Sequence, residues 1–197
     1  MQAEFYESGD LDGHMALVRR AVDRSCMDPE TVQLAGKIVS NTVNYVEHPK
    51  TGRREGVIVA WGDRFWPSGL PTCPPKDDAC ELRAIWAFLV KNIRYVYDPE
   101  HADTFKTLKQ TLHARAGDCD DIAIAFCALA RSVGFQSCYA RVISMSGETW
   151  EHVYPMIGCP KDRPKVHIPF ELTVAGFQVG QEVRGFAAHR DFPMSGG

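Results

Sequence analysis

The sequence is most constrained by a turn that leads directly into a strongly apolar helix. Residues 117–121 read Gly-Asp-Cys-Asp-Asp, in which Gly117 permits a tight turn, Asp118 is a good N-cap and Cys119 falls at the first helical position. The apolar residues that follow recur at the spacing of one helical face, namely Ile122, Phe126, Leu129, Ala130 and Val133. The N–H groups and dipole of a helix N-terminus favour thiolate. The pattern therefore predicts a reactive cysteine at an exposed helix start.

Downstream of this helix the periodicity changes from helical to alternating. Alternation of apolar and polar residues predicts strands at 137–144, 152–158 and 165–174. Pro155 and Pro169 lie inside two of these segments and cannot donate ladder hydrogen bonds. We therefore expect those two strands to be sheet edges or to contain bulges.

Upstream of the turn, helical spacing alternates with segments that break it. The sequence divides into an N-terminal helical extension with a short strand, a proline-rich loop, a core, and a peripheral C-terminal tail, at 1–62, 63–78, 79–175 and 176–197 respectively. Within the extension, the helical pattern that begins at Asp28 continues to Pro49, and 56–61 predicts a strand. The extension carries no recognisable chemistry, so it could be a packing subdomain, a lid or a docking element for a protein partner.

Charge and hydropathy exclude two classes of partner. The chain has 22 basic and 25 acidic residues and a net charge of -3, so it has no overall basic field to attract nucleic acid. No apolar run approaches the roughly 18 residues needed to span a bilayer, and the first residues lack an export signal. We expect no nucleic-acid partner and no membrane association.

The seven cysteines are scattered along the chain and do not resemble a disulfide framework. Reduced thiols and a cytoplasmic location are therefore expected. Cys73 and Cys80 are separated by six residues, which fits no standard zinc spacing, so both are expected to be ordinary thiols. Cys127 and Cys138 fall inside a predicted helix and strand and should be core residues.

No cofactor or metal is expected. The three carboxylates of residues 117–121 could bind Ca²⁺, but they fit capping of a helix N-terminus better. They also oppose a thiolate, because a nearby negative charge raises the pKa of a thiol. The activity of Cys119 is therefore expected to depend on a neighbouring imidazolium.

A cysteine nucleophile needs a base, and the base needs a third group that orients it. His152 begins one predicted strand, and Glu171 lies on the polar face of a later one. If these strands are antiparallel neighbours at the N-terminus of the cysteine helix, thiol, imidazole and carboxylate can meet. His167 is the rival base, since it shares a strand face with Glu171.

Several motifs occur in a fixed order along residues 79–174. They are Asn92-Ile93-Arg94-Tyr95, Asp98-Pro99, residues 117–121, Gly134-Phe135, His152-Val153-Tyr154 and Pro169-Phe170-Glu171-Leu172-Thr173. This ordered set resembles the transglutaminase-like superfamily of papain-like thiol enzymes, especially the compact forms encoded by bacteria and their phages. The resemblance implies an α+β papain-like fold in which the cysteine helix packs on an antiparallel sheet.

By the same resemblance, Cys119 is the nucleophile, His152 the base, and the backbone N–H of Cys119 part of the oxyanion hole. Glu171 occupies the place where the family usually has an aspartate, which is a departure from its pattern. The implied reaction is acyl transfer at an amide bond of a protein or peptide substrate. Hydrolysis by a peptidase or amidase is favoured over transglutamination, and a noncatalytic phage-type binding or assembly protein is the competing class.

Overall fold

The computed structural model describes residues 10–39, 43–47, 54–58, 73, 76–97 and 105–195. The helices are α1 (Leu11–Met27), α2 (Pro29–Val39), α3 (Asp78–Asn92), α4 (Leu108–Ala114) and α5 (Cys119–Ser132). The strands are β1 (Val43–Glu47), β2 (Arg54–Ile58), β3 (Arg94–Tyr95), β4 (Ala116–Gly117), β5 (Cys138–Ser144), β6 (His152–Cys159), β7 (Val166–Pro169) and β8 (Ala188–Pro193).

The main sheet has four antiparallel strands in the order β7-β6-β5-β8. Two short pairs lie apart from it: β1 and β2 are antiparallel, and β3 runs parallel to β4. The expected α+β class, with the cysteine helix packed on an antiparallel sheet and helices at the N-terminus, is therefore confirmed.

The core is built around α5, whose first 12 residues, 119–130, are all buried. The helix packs against α1, α2, α3 and α4, and against β6 of the main sheet. Its interior side chains are apolar around the whole circumference, which is the pattern of a helix enclosed by other elements. On the sheet side the Phe126 ring lies 4.4 Å from the Phe170 ring, centre to centre. The position of α5 therefore fixes the position of its first residue, Cys119.

The N-terminal helix α1 is part of the same core. Its apolar face contributes Leu11, Met15, Val18 and Val22 to the buried cluster. Arg131 of α5 donates to the Asp23 carboxylate and, at 2.6 Å, to the carbonyl of Met194. At the other end of α1, Arg190 of β8 donates to Asp12 at 2.7 Å. These contacts attach α1 to both α5 and the C-terminal residues.

Several segments differ from the expected secondary structure. The helical pattern from Asp28 to Pro49 ends in α2 at Val39, and residues 43–47 form β1. The strand expected at 165–174 stops at Pro169, where the chain leaves the sheet. Residues 188–193, expected in a peripheral tail, form β8 and pair with β5. The spacing of apolar residues within each segment could not reveal these pairings, because they depend on a partner strand distant in sequence.

Some expectations fall on residues that the structure does not describe. The strand expected at 56–61 overlaps β2 at 56–58, and the rest lies outside the described residues. The proline-rich loop expected at 63–78 is described only at 73 and 76–78, and Asp98-Pro99 also lies outside. Among the described helices, none combines the length and apolarity needed to cross a bilayer.

The expectation that Cys73 and Cys80 are ordinary reduced thiols is wrong. The structure joins them in a disulfide with a Cα–Cα distance of 5.3 Å, which ties Cys73 to the first turn of α3. Cysteine spacing is diagnostic of zinc motifs and of multi-disulfide frameworks, but not of a single bridge between a loop and a helix start. Cys127 and Cys138 are buried core thiols, as expected. A structural disulfide is more typical of oxidising compartments than of the expected cytoplasm.

The central place of α5 predicts a large difference between two identical substitutions. Leu129 of α5 is 0% exposed and Leu17 of α1 is 44% exposed. We expect Leu129→Ala to lower the free energy of unfolding by about 2–5 kcal/mol, because it leaves a cavity in the core. Leu17→Ala should change it by less than about 0.5 kcal/mol. Urea unfolding followed by circular dichroism measures both values, and equal losses would contradict the central packing of α5.

Candidate active site

Cys119 begins α5 because the turn before it is tightly specified. The Asp118 side chain caps the helix by accepting the N–H of Asp121 at 3.0 Å, which confirms the predicted N-cap. A Cβ atom at Gly117 would approach the Asp121 Cβ to 2.7 Å, so the close packing of this turn requires glycine. Gly117 pairs with Tyr95 across β3 and β4. The thiol is thus positioned by a cap, a close glycine contact and a strand pair.

The expectation of an exposed helix start is wrong, since Cys119 is only 1% exposed. α1 and β6 both pack on α5, so the first turn lies inside the protein rather than at its surface. Within this enclosure the Cys119 sulfur accepts hydrogen bonds from the backbone N–H groups of Val153 and Asp120. The thiol therefore lies against β6, beside the residue that follows His152.

The surroundings of Cys119 favour the neutral thiol. Burial raises the pKa of Cys119 well above its usual value, and the negative charges of Asp120 and Asp118 raise it further. The N–H groups of Val153 and Asp120 act in the opposite direction but do not overcome these effects. The helix N-terminus alone thus does not make the thiolate the stable form at neutral pH.

His152 and Glu171 are in direct contact. The Nε2 atom of His152, the first residue of β6, lies 2.5 Å from Oε2 of Glu171, whose side chain is fully buried. The other carboxylate oxygen accepts the backbone N–H and the hydroxyl of Thr173, each at 2.7 Å. The Trp86 indole N–H donates to the Glu171 carbonyl at 3.5 Å. The contacts of the carboxylate with His152 and Thr173 hold the Glu171 side chain in place and favour its ionised form.

The ionisation of Glu171 follows from its contacts. Burial alone would raise the pKa of its carboxyl, but the hydrogen bond and charge of His152, followed by the donors of Thr173, lower that pKa below its usual value. Because Nε2 of His152 faces this carboxylate, Nδ1 is the ring nitrogen left for another partner. A neutral His152 with its proton on Nε2 can therefore act as a base through Nδ1.

The rival histidine lies elsewhere. His167 is on exposed β7, where its Nε2 is 2.8 Å from the Ser137 hydroxyl and its ring lies edge-on to Tyr139. It pairs with Gly158, six residues along β6 from His152, a separation of about 20 Å in an extended strand. The structure thus pairs His152, and not His167, with Glu171.

The three aspartates around Cys119 have three different partners. Asp118 caps α5, as described above. The buried Asp121 carboxylate accepts the backbone N–H of Lys106 at 2.8 Å and pairs with its ammonium group at 2.5 Å. Asp120 lies 3.3 Å from the Nε2 atom of His14 on α1. Within the described ranges, no three His, Cys, Asp or Glu side chains are arranged to hold a metal ion.

Four residues that interact with the candidate site were given no role in it from the sequence: His14, Trp86, Tyr95 and Lys106. Tyr95 stands opposite Gly117, and burial followed by the charge of Cys119 raises the pKa of its hydroxyl. His14 had a local signal, because it lies on the same face of α1 as Leu11, Met15 and Val18. Lys106 had none, since its partner Asp121 is 15 residues away.

Comparison with known proteins supports the resemblance inferred from the motifs. Residues 71–167 match the family model of the transglutaminase-like superfamily, which confirms the resemblance for that segment. None of the curated proteins matches the chain. A solved structure of a candidate cysteine protease from Cytophaga hutchinsonii is similar with 16% identity and a TM-score of 0.46. The similarity covers 97% of this chain and 55% of that one, so this chain spans about half its length.

The buried pair of Asp121 and Lys106 predicts a selective loss of stability. Lys106→Met leaves the Asp121 carboxylate buried without its cation, so we expect the free energy of unfolding to fall by about 3–5 kcal/mol. The matched control is Lys109→Met, whose ion pair with Glu30 is exposed and should contribute about 0–1 kcal/mol. Urea unfolding compares the two variants. Equal, small losses would show that Asp121 does not need Lys106.

Proposed function

Since residues 71–167 match the family model of the transglutaminase-like superfamily, we propose that this protein is a cysteine-dependent acyl-transfer enzyme that hydrolyses amide bonds in a protein or peptide substrate. The observation that carries the proposal is the 2.5 Å contact between Nε2 of His152 and Glu171. That contact leaves Nδ1 for a second partner, and the next residue of β6, Val153, donates its N–H to the Cys119 sulfur. Thiol catalysis needs a nucleophile, a base and an orienting group in this order, and we assign these roles to Cys119, His152 and Glu171.

The first half of the reaction forms a thioester. The Cys119 sulfur attacks the carbonyl carbon of the substrate while its proton moves to Nδ1 of His152. Negative charge develops on the substrate oxygen, and the backbone N–H of Cys119 at the helix N-terminus is a donor for it. The C–N bond then breaks as the His152 proton passes to the departing amine, which leaves the acyl group on the sulfur.

The second half releases the acyl group. His152 takes a proton from water while the water oxygen attacks the thioester carbonyl. The C–S bond then breaks as His152 returns that proton to the sulfur, which gives the free thiol and a carboxylic acid that ionises in solvent. A lysine amine in place of water would instead make an isopeptide bond, which is the transglutaminase alternative. The ionised Glu171 holds the imidazole and stabilises the imidazolium that exists between the two proton transfers.

One observation favours a second candidate, a binding or assembly protein that keeps the fold without catalysis. Cys119 is 1% exposed, and a substrate carbonyl must reach the sulfur for any acyl transfer. Catalysis on this scaffold therefore requires an approach path that opens when substrate binds. Acyl transfer to Cys119 in solution distinguishes the two candidates directly.

p-Nitrophenyl acetate provides that test, because its small acyl group does not require knowledge of the natural substrate. We expect a burst of nitrophenolate and an acetyl adduct on the Cys119 peptide by mass spectrometry. Cys119→Ala should abolish the burst, and His152→Ala should slow it by about 10²- to 10⁴-fold, since the general base is lost. The other four free cysteines serve as internal controls. Equal acetylation of all accessible thiols would support the binding-protein candidate.

The same thioester separates hydrolysis from transamidation. For a hydrolase, the rate of its breakdown is unchanged when methylamine is added, and acetate is the product. A rate that rises with methylamine concentration, with N-methylacetamide as the product, would contradict the hydrolytic proposal and favour the transglutaminase.

Glu171→Gln tests the orienting carboxylate. The amide is neutral and cannot stabilise an imidazolium, so we expect acylation of Cys119 to slow by about 10²- to 10⁴-fold. Glu182→Gln is the matched control, because Glu182 pairs with Arg141 and Tyr154 away from the thiol. Glu171→Asp should be intermediate, since one methylene less lengthens the 2.5 Å contact. Unchanged acylation in Glu171→Gln would remove Glu171 from the mechanism.

A further inference from the structure

A histidine of the N-terminal helix contacts the aspartate that follows the candidate nucleophile. His14 of α1 is 5% exposed, and its Nε2 atom is 3.3 Å from Oδ1 of Asp120, which is 4% exposed. The ring of His14 also lies edge-on to Phe105, with 4.5 Å between the ring centres. Asp120 is the residue after Cys119. Because α1 lies outside the matched segment 71–167, this contact comes from an element that the family match does not cover.

His14 and His152 face one small space. A cavity of about 10 Å³, roughly room for one water molecule, is lined by both histidines together with Asp120, Trp150 and Val153. Val153, one of the lining residues, also donates its N–H to the Cys119 sulfur. The two imidazoles therefore face one cavity, His152 paired to Glu171 and His14 paired to Asp120.

The carboxylates at the start of α5 differ in their partners, and Asp120 is the one that His14 contacts. Asp121 already has the Lys106 ammonium, and Asp118 accepts a backbone N–H. The titratable and charged groups of this turn and of the elements packed around it include the N-cap Asp118, Asp120 and Asp121 of α5, His14 of α1, Tyr95 of β3, Lys106 before α4, His152 of β6 and Glu171 after β7. A buried carboxylate is costly unless it is paired, and the basic side chain in contact with Asp120 is His14.

We propose that His14 is a positioning residue of this site, whose imidazolium neutralises the Asp120 carboxylate and lets negative charge develop on the Cys119 sulfur. The inference rests on the proposed function. After burial, the charge of Asp120 is the strongest influence that raises the pKa of the thiol. An imidazolium at 3.3 Å from that carboxylate cancels most of its field at the sulfur. A neutral side chain at position 14 leaves the field in place.

His14→Gln tests this directly, because the amide Nε2 keeps a donor near Asp120 and cannot carry the charge. The measurement is the rate of iodoacetamide alkylation of Cys119 in the full chain, resolved by peptide mass spectrometry, from pH 5 to 10. We expect His14→Gln to lower the rate about tenfold at the acidic end of this range, where imidazoles are protonated, and to leave it unchanged at pH 10. Asp120→Asn should raise the rate across the range.

The double variant establishes that His14 acts through Asp120. His14→Gln added to Asp120→Asn should leave the alkylation rate of Asp120→Asn unchanged at every pH, because no carboxylate is left to neutralise. Asp23→Asn is the structural control, since it removes a different contact between α1 and α5, the pair with Arg131. It should lower stability without changing the pH dependence of the rate.

Three results would overturn the proposal. They are an unchanged rate in His14→Gln at acidic pH, a rate lowered equally at every pH, and a further change when His14→Gln is added to Asp120→Asn. Acylation by p-nitrophenyl acetate separates this inference from the proposed function. A wild-type protein that acylates normally, with an alkylation rate insensitive to His14→Gln, refutes the role of His14 alone. An alkylation rate lowered at acidic pH without acylation supports the coupling of His14 to Asp120 and refutes the enzyme.

Discussion

The candidate site depends on the burial of a charged helix start. The apolar circumference of α5 draws four helices and β6 around it, and this packing carries the first turn and its aspartates inside. Buried ions cost several kcal/mol each unless charges or hydrogen bonds compensate them. Lys106 and His14 therefore contact Asp121 and Asp120, while Asp118 accepts a backbone N–H. The same few contacts therefore stabilise the fold and determine the electrostatic environment of the Cys119 thiol.

The local features of the site could be predicted from the sequence because short-range rules govern them. The helical start at Cys119 and the Asp118 cap follow from spacing and from the side chain of one residue. The exposure of that start could not be inferred in the same way. A cap motif is identical at a surface helix and at an enclosed one, and only the packing of α1 and β6 shows that Cys119 is buried.

The long-range contacts of the site required the structure. Contact between His152 and Glu171 depends on where β7 ends, and the chain leaves the sheet at Pro169 rather than at 174. That early end directs the Glu171 side chain toward His152, whereas a strand continuing to 174 could have left it facing solvent. His14 is more than one hundred residues from Asp120, so no local pattern could pair them. β8 was missed for the same reason. The Cys73–Cys80 bridge spans only seven residues, and it was missed because no spacing rule covers a single bridge.

The acidity of the site limits how the proposed chemistry can proceed. A thiolate is the form of cysteine that oxidants attack, so a buried, neutral Cys119 is protected while no substrate is present. The same protection means that the nucleophile must be generated during attack, when His152 can take its proton. Negative charge then develops on the Cys119 sulfur, and the residue that follows it, Asp120, carries a carboxylate. In an enclosed acidic turn, acyl transfer requires cationic groups that balance this charge. The proposals above assign that role to the imidazoles of His152 on β6 and His14 on α1.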